Sequence, residues 1–382
     1  MTGTFLVRRA VTIPMLMLLL GAPRIVATQG NLSTHGLGFP PGQLSTPAIS
    51  MGGAIGEADP FSPINPASIG LHVSPIIYFQ AEPEYRQLQL GGRLLRSSVS
   101  RFPVFMGSLP LGPRWTLALS AATLLDRTWE TTTRDTQFVG TDTIAANLGN
   151  RSEGSITDLR FAVARSLTSW LRIGVAGHAF TGRDVLKTSR VFDDTLRFVA
   201  DTQSTTLSFG GNAYSVGAQA LWPRLGTIGV SYRHGGTLRA YNGNTVVGEG
   251  TAPDHFGASV VYLGINGTAL GVRAARDRWT SMQGLSPSMN VHEGWDVGAG
   301  ADVTGPRFGG SPVGLRAGVR WRTLPFSPTV TPVKERTLSG GFGFPMSRGS
   351  VELHMGLLRA TRTSGNVTEN AWTISTGFAV RP

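Results

Sequence analysis

Beyond residue 27 the chain repeats one pattern, in which apolar residues alternate with polar or small ones over about ten positions. Segments 351–357 and 372–380 are clear examples, since nearly every second residue in them is apolar. Successive side chains of a β-strand point to opposite faces, so each segment has one apolar face and one polar or small face. This pattern predicts a transmembrane antiparallel β-barrel of the outer-membrane type.

The alternation predicts about fourteen strands. Their predicted ranges are 77–90, 100–107, 115–125, 157–166, 171–180, 206–222, 227–234, 255–263, 269–279, 295–303, 313–321, 336–344, 351–359 and 371–380. Links after even-numbered strands are tight, as at 110–114, whereas those after most odd-numbered strands are long and polar, as at 126–156 and 181–205. This asymmetry favours a bacterial barrel, with both termini on the short-turn, periplasmic side, over a soluble β-sandwich.

The alternation also predicts which side chains face lipid. On the eleventh strand Leu315 and Val319 would point outward, while Arg316 and Arg320 would point into the lumen. An arginine facing lipid at mid-depth would cost about 2–4 kcal/mol. Five tryptophans near strand ends share the outward register and predict interfacial girdles. They are Trp115, Trp222, Trp295, Trp321 and Trp372.

The first 27 residues have the organisation of an export signal. Arg8 and Arg9 form a basic region, and residues 10–22 form a short apolar core. That core is too short to span about 30 Å of hydrocarbon as an anchor. We therefore predict a signal peptide over residues 1–27, removed after Ala27.

Residues 28–75 do not alternate. They contain seven prolines and eight glycines, which interrupt regular structure. Apolar residues are nevertheless too frequent for a solvated linker. We expect a compact hatch (plug) segment inside the lumen rather than a free tail, followed by the barrel over residues 76–382. The many small residues in the inward register of the strands would leave room for it.

The composition excludes several classes of partner and of chemistry. The net charge is +11, but the arginines are dispersed, so we expect no nucleic-acid partner. The chain has no cysteine, which excludes disulfides and thiol chemistry. No catalytic or phosphate-binding motif occurs, and we expect no enzyme activity, catalytic residue, metal or cofactor. His178 and His354 are expected to be hydrogen-bonded lumen residues, although a lipase would need only a serine and a histidine brought together in space.

Three passages near the start resemble a known family. Ser50–Ala54, Glu57–Asp59 and Asn65–Ile69 are similar to the opening of the long-chain fatty-acid transporter family of outer membranes, the FadL/TodX type. Segment 316–321, followed by 334–343 and Pro345, resembles its closing strands. The resemblance implies a fourteen-stranded barrel with an N-terminal hatch in its lumen. The chain departs from many barrels in not ending on an aromatic residue.

Two groups of candidate functional residues follow. On the resemblance, the hatch motif comprises Met51, Gly52, Gly53, Asn65, Pro66 and Ala67. An Asn-Pro pair makes a turn, which either only shapes the hatch or forms a hinge that opens a passage. The lumen arginines either tie the hatch to the wall or hold a ligand carboxylate. They are Arg172, Arg233, Arg316, Arg320 and Arg322.

Pro83 and Pro103 fall inside the first two predicted strands. Proline cannot donate a hydrogen bond to the ladder, so each marks a bulge or a break. The family resemblance implies a further reading, in which a wall defect lets hydrophobic ligands leave sideways into the membrane.

The function expected from this resemblance is passive uptake of hydrophobic molecules, such as long-chain fatty acids or hydrocarbons, gated by the hatch. An accessory barrel for protein secretion or surface attachment within the same superfamily is the alternative. A general porin is disfavoured because the hatch would block free diffusion. The expected partners are outer-membrane lipid, a hydrophobic small-molecule ligand and the barrel-assembly machinery.

Overall fold

The structure is a computed structural model that describes residues 32–33, 36–90, 93–139, 142–193, 197–285, 290–308, 311–327 and 329–382. The predicted signal peptide lies outside these residues. No helix in the described part of the chain is long and apolar enough to cross a membrane.

Within the described residues, fourteen antiparallel strands form one closed sheet. They are β1 (Ile76–Leu90), β2 (Arg93–Arg101 and Val104–Leu111), β3 (Trp115–Asp126 and Trp129–Val139), β4 (Asp142–Ser166), β5 (Leu171–Phe192), β6 (Asp201–Trp222), β7 (Gly226–Asn242), β8 (Thr245–Thr251 and His255–Ile265), β9 (Thr268–Asp277), β10 (Gly294–Phe308), β11 (Ser311–Leu324), β12 (Val333–Met346), β13 (Val351–Ser364) and β14 (Val367–Val380). Pairing of β1 with β14, from Ile77 opposite Val380 to Gln89 opposite Thr368, closes the barrel. The predicted fold class and strand order are confirmed.

The remaining described elements are short. They are α1 (Thr46–Ser50), the 3₁₀ helices Ser68–Leu71, Trp279–Leu285 and Ser347–Gly349, and a two-residue ladder between Asn290–Val291 and Phe326–Ser327. Ser45 caps α1 by accepting a hydrogen bond from the Ala48 amide, and Pro47 lies in its first turn. Both residues favour a helix start, which fixes this single turn inside the barrel.

Several strands extend further at the long-loop end than the sequence predicts. Segment 126–156 contains the hairpin of Trp129–Val139 with β4, and β5 and β6 stay paired up to Arg190 opposite Asp201. The predictions of long loops at 126–156 and 181–205 were therefore wrong. Beyond the membrane, a strand need not present an apolar face, so its alternation disappears from the sequence.

The faces of the strands agree with the prediction. On β11, Leu315 and Trp321 are exposed on the outside, whereas Arg320 is buried inside. All five tryptophans of the predicted girdles are exposed. An apolar exterior around a closed antiparallel sheet is the outer surface of a bacterial outer-membrane barrel.

Residues that precede β1 pack against the inward face of the wall. The inward glycines make this close approach possible. A Cβ atom at Gly174 would lie 2.4 Å from the carbonyl carbon of Pro66, and one at Gly318 would lie 2.1 Å from that of Met51. Gly174 is on β5 and Gly318 is on β11, so the pre-barrel segment, residues 36–75, contacts well-separated strands of the wall.

An arginine placed on the lipid-facing side should test this orientation. We expect Leu357→Arg, an exposed position midway along β13, to lower the free energy of unfolding by about 2–4 kcal/mol, because the guanidinium would enter hydrocarbon. Denaturant unfolding in lipid vesicles measures the difference. Val246→Arg, near the outer end of the β7–β8 hairpin, is the matched control and should change little. Equal losses for both variants would contradict the assignment.

Candidate functional site

The barrel wall contains a gap between β2 and β3. Val104–Leu111 and Trp115–Asp126 pair with each other. Above them, among the described residues, Arg93–Arg101 pairs with β1 and Trp129–Val139 pairs with β4, but not with one another. The two strands therefore diverge toward the long-loop end.

A cavity of about 150 Å³ occupies this gap. Residues 97–99 of β2 line one side, and residues 128–130 and 151–153 line the other. Arg86, a buried residue of β1 whose side chain points into the barrel, also borders it. The cavity thus reaches from the unpaired strand edges to side chains of the lumen.

Both prolines of the predicted wall defect lie beside the gap. Pro103 falls in the two-residue break between the parts of β2, directly below the point of divergence. Pro83 lies within β1 opposite Ser100, where the register to β14 skips Glu82 and Pro83. Their position agrees with a defect in the wall, and their role in transport stays a prediction.

A comparable interruption between β8 and β9 is covered. Thr245–Thr251 pairs with β7, and the 3₁₀ helix Trp279–Leu285 lies over it. Atoms of Leu285 and Met282 would be about 3.3 Å from Cβ atoms at Gly250. The β2–β3 gap instead holds the cavity described above.

Phe39 fastens the pre-barrel segment at the lower end of the gap. It forms a β-bridge with Asp126, in which each backbone amide donates to the other residue's carbonyl at 2.8 Å. Its ring lies among four guanidinium groups, with Cζ atoms 4.6–5.7 Å from the ring centroid, a geometry that favours cation–π attraction. The four are Arg86, Arg101, Arg322 and Arg362.

Buried carboxylates compensate these positive charges. Arg362 contacts Glu84 at 3.1 Å, and Glu335 and Glu369 at 2.6 Å each. Arg101 contacts Glu84 at 2.9 Å. Charges this deeply buried are tolerated only when they are paired and hydrogen-bonded. The network therefore constrains how the strands around the gap pack.

Four of the five predicted lumen arginines contact or closely approach the pre-barrel segment. Arg322 donates to the Pro40 carbonyl at 2.8 Å, Arg172 to the Gly70 carbonyl at 3.2 Å, and Arg233 to the side-chain oxygen of Gln43 at 3.3 Å. Arg320 lies beside Gly42 and Gly53. Arg316 instead pairs with Asp302 on the wall at 2.8 Å. These contacts support the tying role for four of them and leave a ligand-binding role a prediction.

Asn65 holds the predicted hatch motif in place. Its side-chain amide donates to the Glu57 carbonyl at 2.7 Å and to the Ala218 carbonyl on β6 at 3.2 Å. Its side-chain oxygen accepts from the Ala67 amide at 2.9 Å, across Pro66. Asn65 is completely buried, so its amide has to be hydrogen-bonded.

The other half of the motif turns the chain after α1. Gly52 and Gly53 have φ values of +64° and +79°, a left-handed conformation that favours glycine. The Gly52 amide donates to Ser339 on β12 at 3.0 Å, and Met51 is buried beside β10 and β11. The motif thus contacts the wall on both sides of the lumen.

Glu57 connects the same segment to β8 and β9. Its carboxylate accepts from Arg273 at 2.8 Å and from Ser259 at 2.6 Å. Burial opposes ionisation, but Arg273 and the neighbouring His255 outweigh it and lower the pKa of Glu57 to about 2. Glu57 is therefore a charged anchor of the segment. Arg273 was not among the predicted site residues, although its inward register on the ninth predicted strand could have indicated it.

Toward the long-loop end the lumen is apolar. A cluster of buried side chains, here called the apolar lumen cluster, lies above the charged groups. It includes Leu37, Leu124, Ile156, Phe180, Phe209 and Leu238. Because these strands turn large apolar side chains inward as well as outward, this end of the lumen has an apolar lining.

Arg160 lies at the border of this cluster and was not among the predicted site residues. It is opposite His178, two residues along β5 from Phe180. Its side chain is buried, and none of its three nitrogens has a hydrogen-bond partner among the described residues. A buried guanidinium without an acceptor is costly, so the position is suited to an anionic group from elsewhere. Arg160 is in the inward register of the fourth predicted strand, 157–166, so the sequence already indicated that its side chain faces the lumen.

His178 joins two further inward side chains. Its Nδ1 lies 2.9 Å from Asp158, and its Nε2 lies 2.9 Å from the Ser215 hydroxyl. Serine hydrolases use this order of groups. Ser215, however, is buried and borders neither of the two cavities that His178 lines. The trio is therefore a buried hydrogen-bond chain, as expected for a lumen histidine.

Comparison with known proteins identifies the fold. No model of a known protein family matches the chain, and no curated protein matches it. Among solved structures, a FadL homologue from Pseudomonas aeruginosa is 13% identical, with a TM-score of 0.61, and the match covers 90% of this chain and 99% of the other. The toluene transporter TbuX from Ralstonia pickettii is 15% identical, with a TM-score of 0.56, and the match covers 92% and 99%. The Pseudomonas putida toluene transporter TodX is 12% identical, with a TM-score of 0.56, and the match covers 88% of this chain and 96% of the other.

At these identities the likeness shows the fold. The chain folds as a fourteen-stranded barrel similar to those of the FadL homologue and the toluene transporters. The structures named are those of transporters and their relatives, not of enzymes.

The hydrogen bonds of Asn65 provide a test of the segment's fixation. We expect Asn65→Ala to loosen the segment, because two buried carbonyls and the Ala67 amide would lose their partner. Ion conductance in planar lipid bilayers should rise above that of the wild type. Asn366→Ala, at the exposed β13–β14 turn, should leave conductance unchanged. Wild-type conductance of Asn65→Ala would show that these bonds do not hold the lumen closed.

Proposed function

We propose that this protein is a passive outer-membrane transporter for hydrophobic molecules, with the pre-barrel segment acting as a hatch. The observation that carries the proposal is the β2–β3 gap with its cavity. The unpaired strand edges begin at the outer margin of the lipid-facing band, since Ser98 is opposite Tyr85, and Tyr85 is opposite Trp372 of the girdle. A lateral opening lets a hydrophobic molecule enter the membrane without crossing water.

The gap and the apolar lumen cluster adjoin each other on β3 and β4. Leu125 of the cluster precedes Asp126, where β3 leaves β2, and Ile156 follows the 151–153 segment that lines the cavity. A ligand captured at the long-loop side would meet the cluster first and then the gap. Phe39 and its arginines lie at the lower edge of this route and would direct the ligand sideways.

Arg160 supports an anionic amphiphile, such as a long-chain fatty acid, as one ligand class. The carboxylate would accept hydrogen bonds from its free nitrogens, while the acyl chain would lie in the apolar lumen cluster. A neutral hydrocarbon would use the cluster alone. No observation favours the alternative of an accessory barrel for secretion or attachment, and Ser215 provides no accessible nucleophile for an enzyme.

Closing the gap should stop transport. We expect cross-linking of Ser98→Cys to Glu130→Cys, which line opposite sides of the cavity, to abolish uptake of a hydrophobic substrate into vesicles. The chain has no native cysteine, so bismaleimides of increasing length would react only with the introduced pair. The matched control cross-links Asn150→Cys to Thr188→Cys, which are opposite each other on the paired strands β4 and β5. Full uptake by the closed-gap variant would exclude the lateral route.

Substitution of Arg160 should affect anionic ligands and leave neutral ligands unaffected. We expect Arg160→Met to weaken oleate binding roughly 10- to 100-fold, the effect of losing a hydrogen bond to a charged group. Uptake of toluene should stay unchanged, because the apolar lumen cluster is intact. Binding is measured by tryptophan fluorescence and uptake with labelled toluene. An equal loss of oleate binding in Arg172→Met, whose guanidinium contacts Gly70, would argue against a specific carboxylate site.

A further inference from the structure

Three basic side chains form a patch on the outside of the barrel near its long-loop end. Lys334 and Arg336 are on β12, and Arg359 is on β13. All three are exposed and lie in the outward register that they share with Leu338 and Leu357. Arg336 is opposite Thr361, two residues along β13 from Arg359, and cross-strand neighbours on this diagonal are about 7–8 Å apart. These three residues are the outward basic patch.

The patch has no acidic partner in the described part of the chain. None of its three side chains forms an ion pair or hydrogen bond there, although Arg359 stacks 5.5 Å from the ring of Trp372. The nearby acids face the lumen instead. Glu335, between Lys334 and Arg336, contacts Arg362 inside the barrel. Alternation along β12 therefore sends the negative charge inward and the positive charges outward.

The surroundings of the patch place it at a membrane interface. Trp321 is opposite Arg336, and Trp372 is opposite Arg359, and both rings are exposed on the outside. Tryptophans of this kind mark the level of lipid head groups. Immediately below, exposed Leu357 and Ile374 belong to the lipid-facing band.

The opposite end of the same strands differs. There the outward positions carry Phe342, Leu353 and Phe378, and no outward cation interrupts them on the described strands β12 to β14. The charge asymmetry in this sector thus distinguishes one leaflet from the other. On the strand topology the basic end is the long-loop end, which faces the cell exterior.

We infer that the outward basic patch binds the phosphate group of an anionic lipid in the outer leaflet. Three like charges held this close together repel one another unless a counter-ion lies between them. Arginine binds phosphate through two parallel hydrogen bonds, and lysine adds a point charge. Trp321, Trp372 and the leucines below would contact the sugar or acyl parts of the same lipid. The inference requires a barrel in the outer membrane but not the transport activity proposed above.

The test measures lipid retention by the full-length purified barrel. Native mass spectrometry would follow binding of bis-phosphorylated lipid A, its dephosphorylated form and inorganic phosphate. We expect the wild type to bind phosphorylated lipid A and the Lys334→Gln, Arg336→Gln, Arg359→Gln variant to bind it about 100-fold more weakly, at roughly fivefold per lost charge. The variant Lys334→Arg, Arg336→Lys, Arg359→Lys keeps all three charges and should retain most of the binding.

A control removes three cations from an exposed region beyond the girdle. Arg183→Gln, Lys187→Gln, Arg190→Gln on the outer part of β5 makes the same change in net charge and should leave lipid binding unchanged. On a denaturing gel, unheated and heated samples of a folded barrel migrate differently. Each variant is folded if it shows the same difference as the wild type. Three results would overturn the inference. They are binding of the dephosphorylated lipid as tight as that of phosphorylated lipid A, competition by millimolar inorganic phosphate, and a loss of binding in the control equal to that in the patch variant. Oleate uptake is predicted to be unaffected, so failure of this proposal is distinct from failure of the transport proposal.

Discussion

Backbone hydrogen bonding is the constraint on which the rest of this structure depends. In hydrocarbon every amide and carbonyl has to find a partner within the protein, and the pairing of β1 with β14 meets that demand by closing the sheet. At the outer margin of the membrane β2 and β3 diverge and leave part of the ladder unpaired. Phe39 from the pre-barrel segment supplies two of the missing bonds by bridging to Asp126, at the point where the ladder ends. The segment thus completes the lower wall while the upper wall stays open.

Closure also creates an interior in which charges have to be paired. Glu57 meets Arg273, Arg320 meets Asp296, and Arg362 meets three glutamates. Because removing one partner would leave a buried charge, the Glu57–Arg273 pair holds the segment to the wall, and the other pairs hold strands of the wall together. Arg160 does not follow this rule, since its nitrogens have no partner among the described residues. Its position at the border between polar and apolar lumen is the basis for proposing a ligand that has both properties.

Part of the fold and of the candidate site could be predicted from the sequence, and the rest could not, for physical reasons. The lipid-facing positions of β11 were correct because hydrocarbon on one side imposes a strict alternation, as Leu315, Arg316, Val319 and Arg320 show. The hairpin Trp129–Val139 was missed because water on the outside removes that alternation. The hatch motif was recognised by resemblance, whereas its contacts required three dimensions. Asn65 bonds to Ala218, which is 153 residues away.

The sequence by itself determined the barrel and the side-chain directions in the lipid-facing part of its strands, because hydrocarbon on one side imposes a single periodicity there. It did not determine which inward residues meet. Arg160, His178 and Ser215 lie on three successive strands and come together only through the registers of β4, β5 and β6. The β2–β3 gap is likewise invisible in the alternation, since both strands carry their own pattern and only their failure to pair opens the wall. Tertiary structure decided the gap because pairing is a property of two strands, whereas periodicity is a property of one.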